Sequence, residues 1–174
     1  MKEKKCQIII CISFLVYAIG FLIGLIVEYS FIDTASSSIS DYQKLLTIHN
    51  ESHFKSFLWI TENNIIVILK NVILGIFSFG IFSLVFVFYN AYIHGYIIKS
   101  LFPLLGTQDM LCSTIPHSIE LIPLILSVLL GFSISNKIIL HKNILSVKKT
   151  IQLSMACIII TIVAAFIETH ISMI

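Results

Sequence analysis

Charge is what this sequence has least of. Only 11% of its 174 residues are charged, where a soluble domain carries about 25%. A chain so poor in charge cannot clothe itself in solvated side chains, which excludes a soluble globular domain. Arginine is missing altogether, because all eleven basic residues are lysine. That bias fits an A/T-rich genome and assigns no mechanism. Cys6, Cys11, Cys112 and Cys157 form no C-x-x-C pair and read as small apolar packing residues. There is no Walker sequence, no serine-nucleophile motif and no glycine-rich phosphate loop, so any energy input must come from another chain. H-E-x-x-H spacing is absent too.

What the sequence has is apolar length. It is 57% hydrophobic, with a mean hydropathy of +1.01. This is the composition of a polytopic, all-α membrane protein with one helical bundle and no separate soluble domain. The N-terminus, Lys2-Glu-Lys-Lys5, leads into apolar sequence as far as Val27. A cleaved signal peptide has an apolar core of only about 7–15 residues, so residues 6–27 read as an uncleaved first span. Gly20 and Gly24 form a G-x-x-x-G pattern, a candidate helix–helix contact. Residues 28–63 form a polar loop. Over 41–61, Tyr42, Leu45, Leu46, Ile48, Phe54, Phe57, Leu58 and Ile60 recur at roughly helical spacing. That pattern predicts an amphipathic helix lying at the membrane interface, anchored by Trp59. The Asn50-Glu51-Ser52 sequon is read as chance.

Residues 65–102 predict either one long helix or a hairpin bent around Ser78-Phe-Gly80. Charge placement favours the hairpin. The stretch 136–149 holds four lysines and no acid, whereas the 28–64 stretch holds five acids and two lysines. The positive-inside rule puts the first, with the N-terminus, in the cytoplasm and the second outside. The helix at 115–135 crosses once, so 65–102 must cross an even number of times. Each arm of about 14 residues would reach only roughly 21 Å, against a hydrocarbon core of about 30 Å, so the first arm is expected to be short or re-entrant. The expected architecture is thus about five membrane helices, the last at 150–174, plus the interfacial helix.

This topology brings the costly groups to one depth. Asn64, Lys70, Asn71, Asn90, His94, His117, Glu120 and Glu168 become an intramembrane polar cluster, in which Lys70 pairs with Glu120 or Glu168. Pro116 suits a first helical turn, and His117 and Glu120, three apart, share a face. Asn90 and His94 share another and read as interhelical hydrogen-bonding residues. A structural polar clamp is the leading reading of the cluster. A peptide or proton site is the second, and a metal site on His94, His117, Glu120 and Glu168 is the third. No cofactor, metal or nucleic acid is expected. Lys137, Lys142, Lys148 and Lys149 read as topology determinants that meet anionic lipid, or as a docking site for a cytoplasmic ATPase.

Several of these residues fall in a familiar order: Asn63-Asn64, Gly75, Gly80, Asn90, His94-Gly95, Ile115-Pro-His-Ser-Ile-Glu120 and Ala164-Ala-Phe-Ile-Glu168. Over roughly 55–170 the chain resembles the SpoIIM (stage II sporulation protein M) family. It differs in having Ser118 after the Pro-His pair and Ala91 after Asn90. The resemblance implies one of two uses. One is anchorage of a cell-wall-remodelling complex in sporulation. The other is maturation, export or self-protection in a circular-bacteriocin cluster, such as those of the circular enterocins, and the short lysine-rich chain is more similar to that branch. The function expected is a non-catalytic membrane scaffold or permease-like subunit in the cell membrane of a bacterium. Its expected partners are other membrane proteins, an ATPase, a cationic peptide or a second copy of the chain. An intramembrane peptide-processing enzyme is the alternative.

Overall fold

The computed structural model describes residues 2–27 and 52–171, with the side chains at 2–3, 101, 103–113, 115–117 and 171 outside the description. Among the described residues there are only helices: α1 (Lys2–Ile26), α2 (His53–Phe77), α3 (Ile81–Ile139) and α4 (Val147–Ile171). They contain five stretches long and apolar enough to cross a membrane, at Lys4–Ile26, His53–Phe77, Ile81–Ser100, Ser118–Ile139 and Val147–His170. The protein is a helical membrane bundle.

Two of those stretches belong to α3, which runs for 59 residues and would be about 88 Å long if straight. It is not straight. Asn71 on α2 bonds at once to Ser83 and to Ser127, hydroxyls that a straight helix would hold about 66 Å apart. The chain therefore doubles back between its two apolar stretches, here called the first and second arms. Pro103 and Pro116 lie in the connecting segment, and prolines remove helix hydrogen bonds where they occur inside a helix.

The remaining pairings fix an up-and-down order. Gly20 and Gly24 of α1 lie against Phe88 and Tyr92 of the first arm, so these two run parallel. Asn64 meets Glu120, and Gly75 meets Gly131, so α2 runs parallel to the second arm. Cys157 of α4 approaches Pro123, and Ala165 packs on Ile60, so α4 is antiparallel to both. One end of the bundle then gathers the start of α1, the 78–80 turn and the 140–146 connection. The opposite end holds Val27, His53, Lys99 and His170.

The 78–80 turn shows why α2 stops. Gly80 adopts φ +85, in the left-handed region that costs glycine least. Its N–H donates to Gly75 O at 2.9 Å, closing the helix end. The Ser78 hydroxyl donates to Leu74 O at 2.6 Å and accepts from Phe82 N at 2.8 Å, so one side chain serves both helix ends.

Two expected boundaries change. Residues 53–61 are the opening turns of α2 rather than an interfacial helix over 41–61, whose residues 41–51 lie outside the described residues. α2, the first half of the expected hairpin, accordingly begins at His53, not Ile65. At 25 residues it spans about 37 Å, longer than the hydrocarbon core of about 30 Å and not the short arm expected. Asn63 and Asn64 had looked like the end of a loop. Asn64 is instead accommodated within the helix by its partner Glu120. The basic connection also shrinks, because α3 continues to Ile139 and α4 begins at Val147.

The interior is the reverse of a soluble core. Ser13, Ser56, Ser83, Ser127, Thr161 and Thr169 are buried, while Ile26, Phe77, Ile81 and Val85 point outward. In lipid, apolar surface gains nothing by leaving its surroundings, so helices associate through small residues and hydrogen bonds. Several hydroxyls donate to the carbonyl four residues back, as Ser13, Thr161 and Thr169 do, and so enter the core without an unmet bond. A compact apolar knot of Val87, Leu124 and Val128 lies among them, covered by Val16, Tyr17 and Val67.

Candidate functional site

Asn71 is the largest of the wholly buried polar side chains described. It is 0% exposed. Its Nδ2 donates to Ser127 Oγ at 2.7 Å and to Leu124 O at 3.2 Å, and its Oδ1 accepts from Ser83 Oγ at 2.6 Å. One amide thus ties α2 to both arms of α3. Ser127 in turn donates to Leu124 O at 2.6 Å. A buried amide left unmet in this environment would cost several kcal/mol, on the order of 2–7. Three short bonds remove that penalty.

Two turns toward the opposite end, Asn64 Nδ2 donates to Glu120 Oε1, which joins α2 to the second arm. Between α1 and the first arm, the Tyr17 hydroxyl and His94 Nδ1 share a hydrogen bond of 2.6 Å. Phe21 meets the His94 ring edge-on with centroids 5.4 Å apart, which sets the plane of the imidazole. The polar groups therefore link three interfaces: α2 with the first arm, α2 with the second arm twice over, and α1 with the first arm.

The other expected members are placed differently. Asn90 donates to Phe86 O of its own helix at 2.8 Å rather than across an interface. Lys70 does not pair with either glutamate among the described residues. It lies on the exposed outer side of α2, next to buried Asn71 and two-thirds of a turn around from Asn64. A long lysine on that face can extend its amine toward a polar boundary and needs no internal acid. Glu168 is 6% exposed and near the end of α4. The packing of Ala165 on Ile60 and of His170 beside His53 sets it level with Ser56, about 12 Å along α2 from Asn64. The expected single depth is thus a graded series. The His117 side chain lies outside the described residues. Among the described residues no three His, Cys, Asp or Glu side chains come together as metal ligands do.

Three contributors escaped sequence reasoning: Tyr17, Ser83 and Ser127. Tyr17 is one polar tip in an otherwise apolar run, and it was the available signal. Serines in a membrane helix mostly bond their own backbone, so nothing in the sequence marks two of them as Asn71 partners. Lys99 was also unassigned. Its Nζ donates to Ile26 O at 3.2 Å and Val27 O at 3.0 Å, closing the last carbonyls of α1 with a cation.

A family model described as stage II sporulation protein M matches residues 13–173. The match takes in α1 as well as the later helices. Neither a curated protein nor a solved structure gives a significant match.

Proposed function

The chain belongs to the SpoIIM family, and from that premise we propose that it is a non-catalytic membrane subunit, a scaffold or permease-like part that holds other membrane proteins in place. The system it would serve is the production, export or self-protection of a circular bacteriocin, with a separate ATPase supplying energy. In this reading it sits in the cell membrane of a bacterium with its N-terminus in the cytoplasm. The supporting observation is the use made of the costliest polar groups. Asn71 ties α2 to both arms of α3, Asn64 with Glu120 ties it again to the second arm, and Tyr17 with His94 ties α1 to the first arm. Groups spent on interhelical bonds fix an arrangement of helices, and a fixed arrangement is what a scaffold supplies.

Glu120 tests this directly. A clamp needs an oxygen that accepts from Asn64 Nδ2, and glutamine keeps one. A reacting or proton-carrying carboxylate does not survive that change. In a producer strain lacking the native copy, Glu120→Gln should restore peptide production and immunity to within about twofold. Glu120→Leu, which leaves Asn64 facing an apolar surface, should lower the amount of protein in the membrane. A Glu120→Gln chain present at the normal level but inactive would overturn the proposal in favour of intramembrane chemistry. Loss of peptide production with no co-purifying membrane protein would count against the scaffold role.

A further inference from the structure

At the end of the bundle away from Glu120, the structure forms a groove of about 850 Å³ between the first turns of α1, the last turn of α3 and the start of α4. Small-molecule sites commonly occupy about 300–1,000 Å³. Its polar lining is Gln7, Lys137, Asn143, Ser146 and Lys149. The lysines come from two helices that the 140–146 connection folds together, so this is a built concavity and not a run of neighbours in sequence. Both are exposed, and among the described residues neither is ion-paired with a carboxylate.

We propose that this groove binds the phosphate headgroup of an anionic phospholipid, held between Lys137 and Lys149. Three features select that occupant. The first is charge: two ammonium groups face one space whose other polar members, Gln7, Asn143 and Ser146, are uncharged hydrogen-bonding partners. The second is the opening of α4. Ser146 takes the Lys149 N–H on its hydroxyl at 3.3 Å, and the neighbouring first-turn amides begin a 25-residue helix whose dipole adds positive potential at this end. The third separates a lipid from a soluble anion. Ile144, Leu145 and Val147 share the lining, and the adjoining Ile138, Ile139 and Leu140 are exposed at the end of α3. A headgroup at the lysines thus has apolar surface beside it for its acyl chains. Basic pockets between membrane helices take anionic headgroups by this combination.

The test uses the full chain purified in detergent and titrated with phosphatidylglycerol or phosphatidylcholine, with bound lipid counted by native mass spectrometry. The expected result is a clear preference for phosphatidylglycerol. Lys137→Gln with Lys149→Gln should weaken it about tenfold, since each lysine near a phosphate contributes on the order of a few-fold to tenfold. Lys142→Gln with Lys148→Gln removes the same charge from outside the groove and should change binding less than about twofold. If the groove double variant does not purify folded, Gln7→Glu adds a carboxylate beside the lysines and should weaken phosphatidylglycerol alone. Inorganic phosphate at millimolar concentration should fail to displace the lipid. The proposal falls if the two double variants lose binding equally, if phosphatidylcholine binds as well, or if free phosphate competes. It falls also if the groove variants keep the lipid but lose a co-purifying membrane protein, because the groove is then a protein contact.

Discussion

Asn71 has more influence on this bundle than its size suggests. It is bonded to both arms of α3 at once, with all its short contacts made inside the core. Interhelical hydrogen bonds in membrane proteins average about 0.6 kcal/mol and reach about 1.7. Removing the hub should therefore cost about 1–3 kcal/mol, and not the several kcal/mol of an orphaned amide, because its partners have somewhere to go. Ser127 already donates to Leu124 O, and Ser83 can turn to its own helix. Asn71→Leu should lower stability by that amount in reversible SDS unfolding, followed by Trp59, the single tryptophan. Tyr17→Phe, which loses one bond to His94, should cost about 1 kcal/mol or less. If Asn71→Leu is as stable as the parent, small-residue packing alone sets the helix positions. Asn71, Asn64, His94 and Glu120 were legible in the sequence because a polar group in an apolar run demands an explanation. Their partners were not, because whether Ser83 bonds its own helix or Asn71 depends on the register between helices, which no local pattern records. Lys70 misled for the same reason: its cost was legible and its direction was not.

At the scale of the helices, backbones approach closely at glycines. Gly20 brings α1 so near the first arm of α3 that an added methyl would lie 2.6 Å from Phe88 O and 3.1 Å from Ala91 Cβ. Gly24 faces Tyr92 O, and Gly95 faces Phe21 O in return. The obstacle in each case is a carbonyl, which cannot rotate away as a side chain would. Gly24→Leu should therefore force α1 off the bundle at a cost above the 1–3 kcal/mol usual for overpacking. It should also break the Tyr17–His94 bond and the Lys99 cap that depend on the same register. The expected readout is a sharp fall in protein recovered from the membrane, while Leu22→Val, on the exposed side of the same helix, leaves recovery unchanged. Normal recovery of Gly24→Leu would show that α1 is not held by this contact. The G-x-x-x-G spacing made α1 legible as a packing helix, and Ser78-Phe-Gly80 made the turn legible. The start of α2 and the helical connection through 101–117 were not, because polar residues there read as loop until tertiary partners such as Glu120 are known.

Taken whole, the molecule is polarised along its long axis. Lys4, Lys5, Lys137, Lys142, Lys148 and Lys149 gather at one end, and no Asp or Glu lies between Ile138 and Ile167 to offset them. The other end holds Val27 and His53, and the sequence between them carries Glu28, Asp33, Asp41 and Glu51. Five apolar stretches in alternating direction put the chain's two described termini on opposite faces of the membrane, so the orientation of one end decides all. Lysines near short connections resist transfer across the bilayer, which predicts that the lysine-rich end stays in the cytoplasm. Single cysteines can report this in a background where Cys6, Cys11, Cys112 and Cys157 are replaced by alanine. Ser52→Cys suits the acid-rich end, since the Ser52 hydroxyl makes no cap bond to α2. Asn143→Cys suits the connection between α3 and α4, where the residue is exposed. In intact cells a membrane-impermeant maleimide should label Ser52→Cys and reach Asn143→Cys only after the membrane is opened. The reverse pattern would place the lysine groove and its lipid partner on the outer leaflet and would remove any cytoplasmic ATPase from that surface. Labelling of both sites in intact cells would break the five-span order itself, and with it the interhelical bonds of Asn71, Glu120 and His94 that depend on that order.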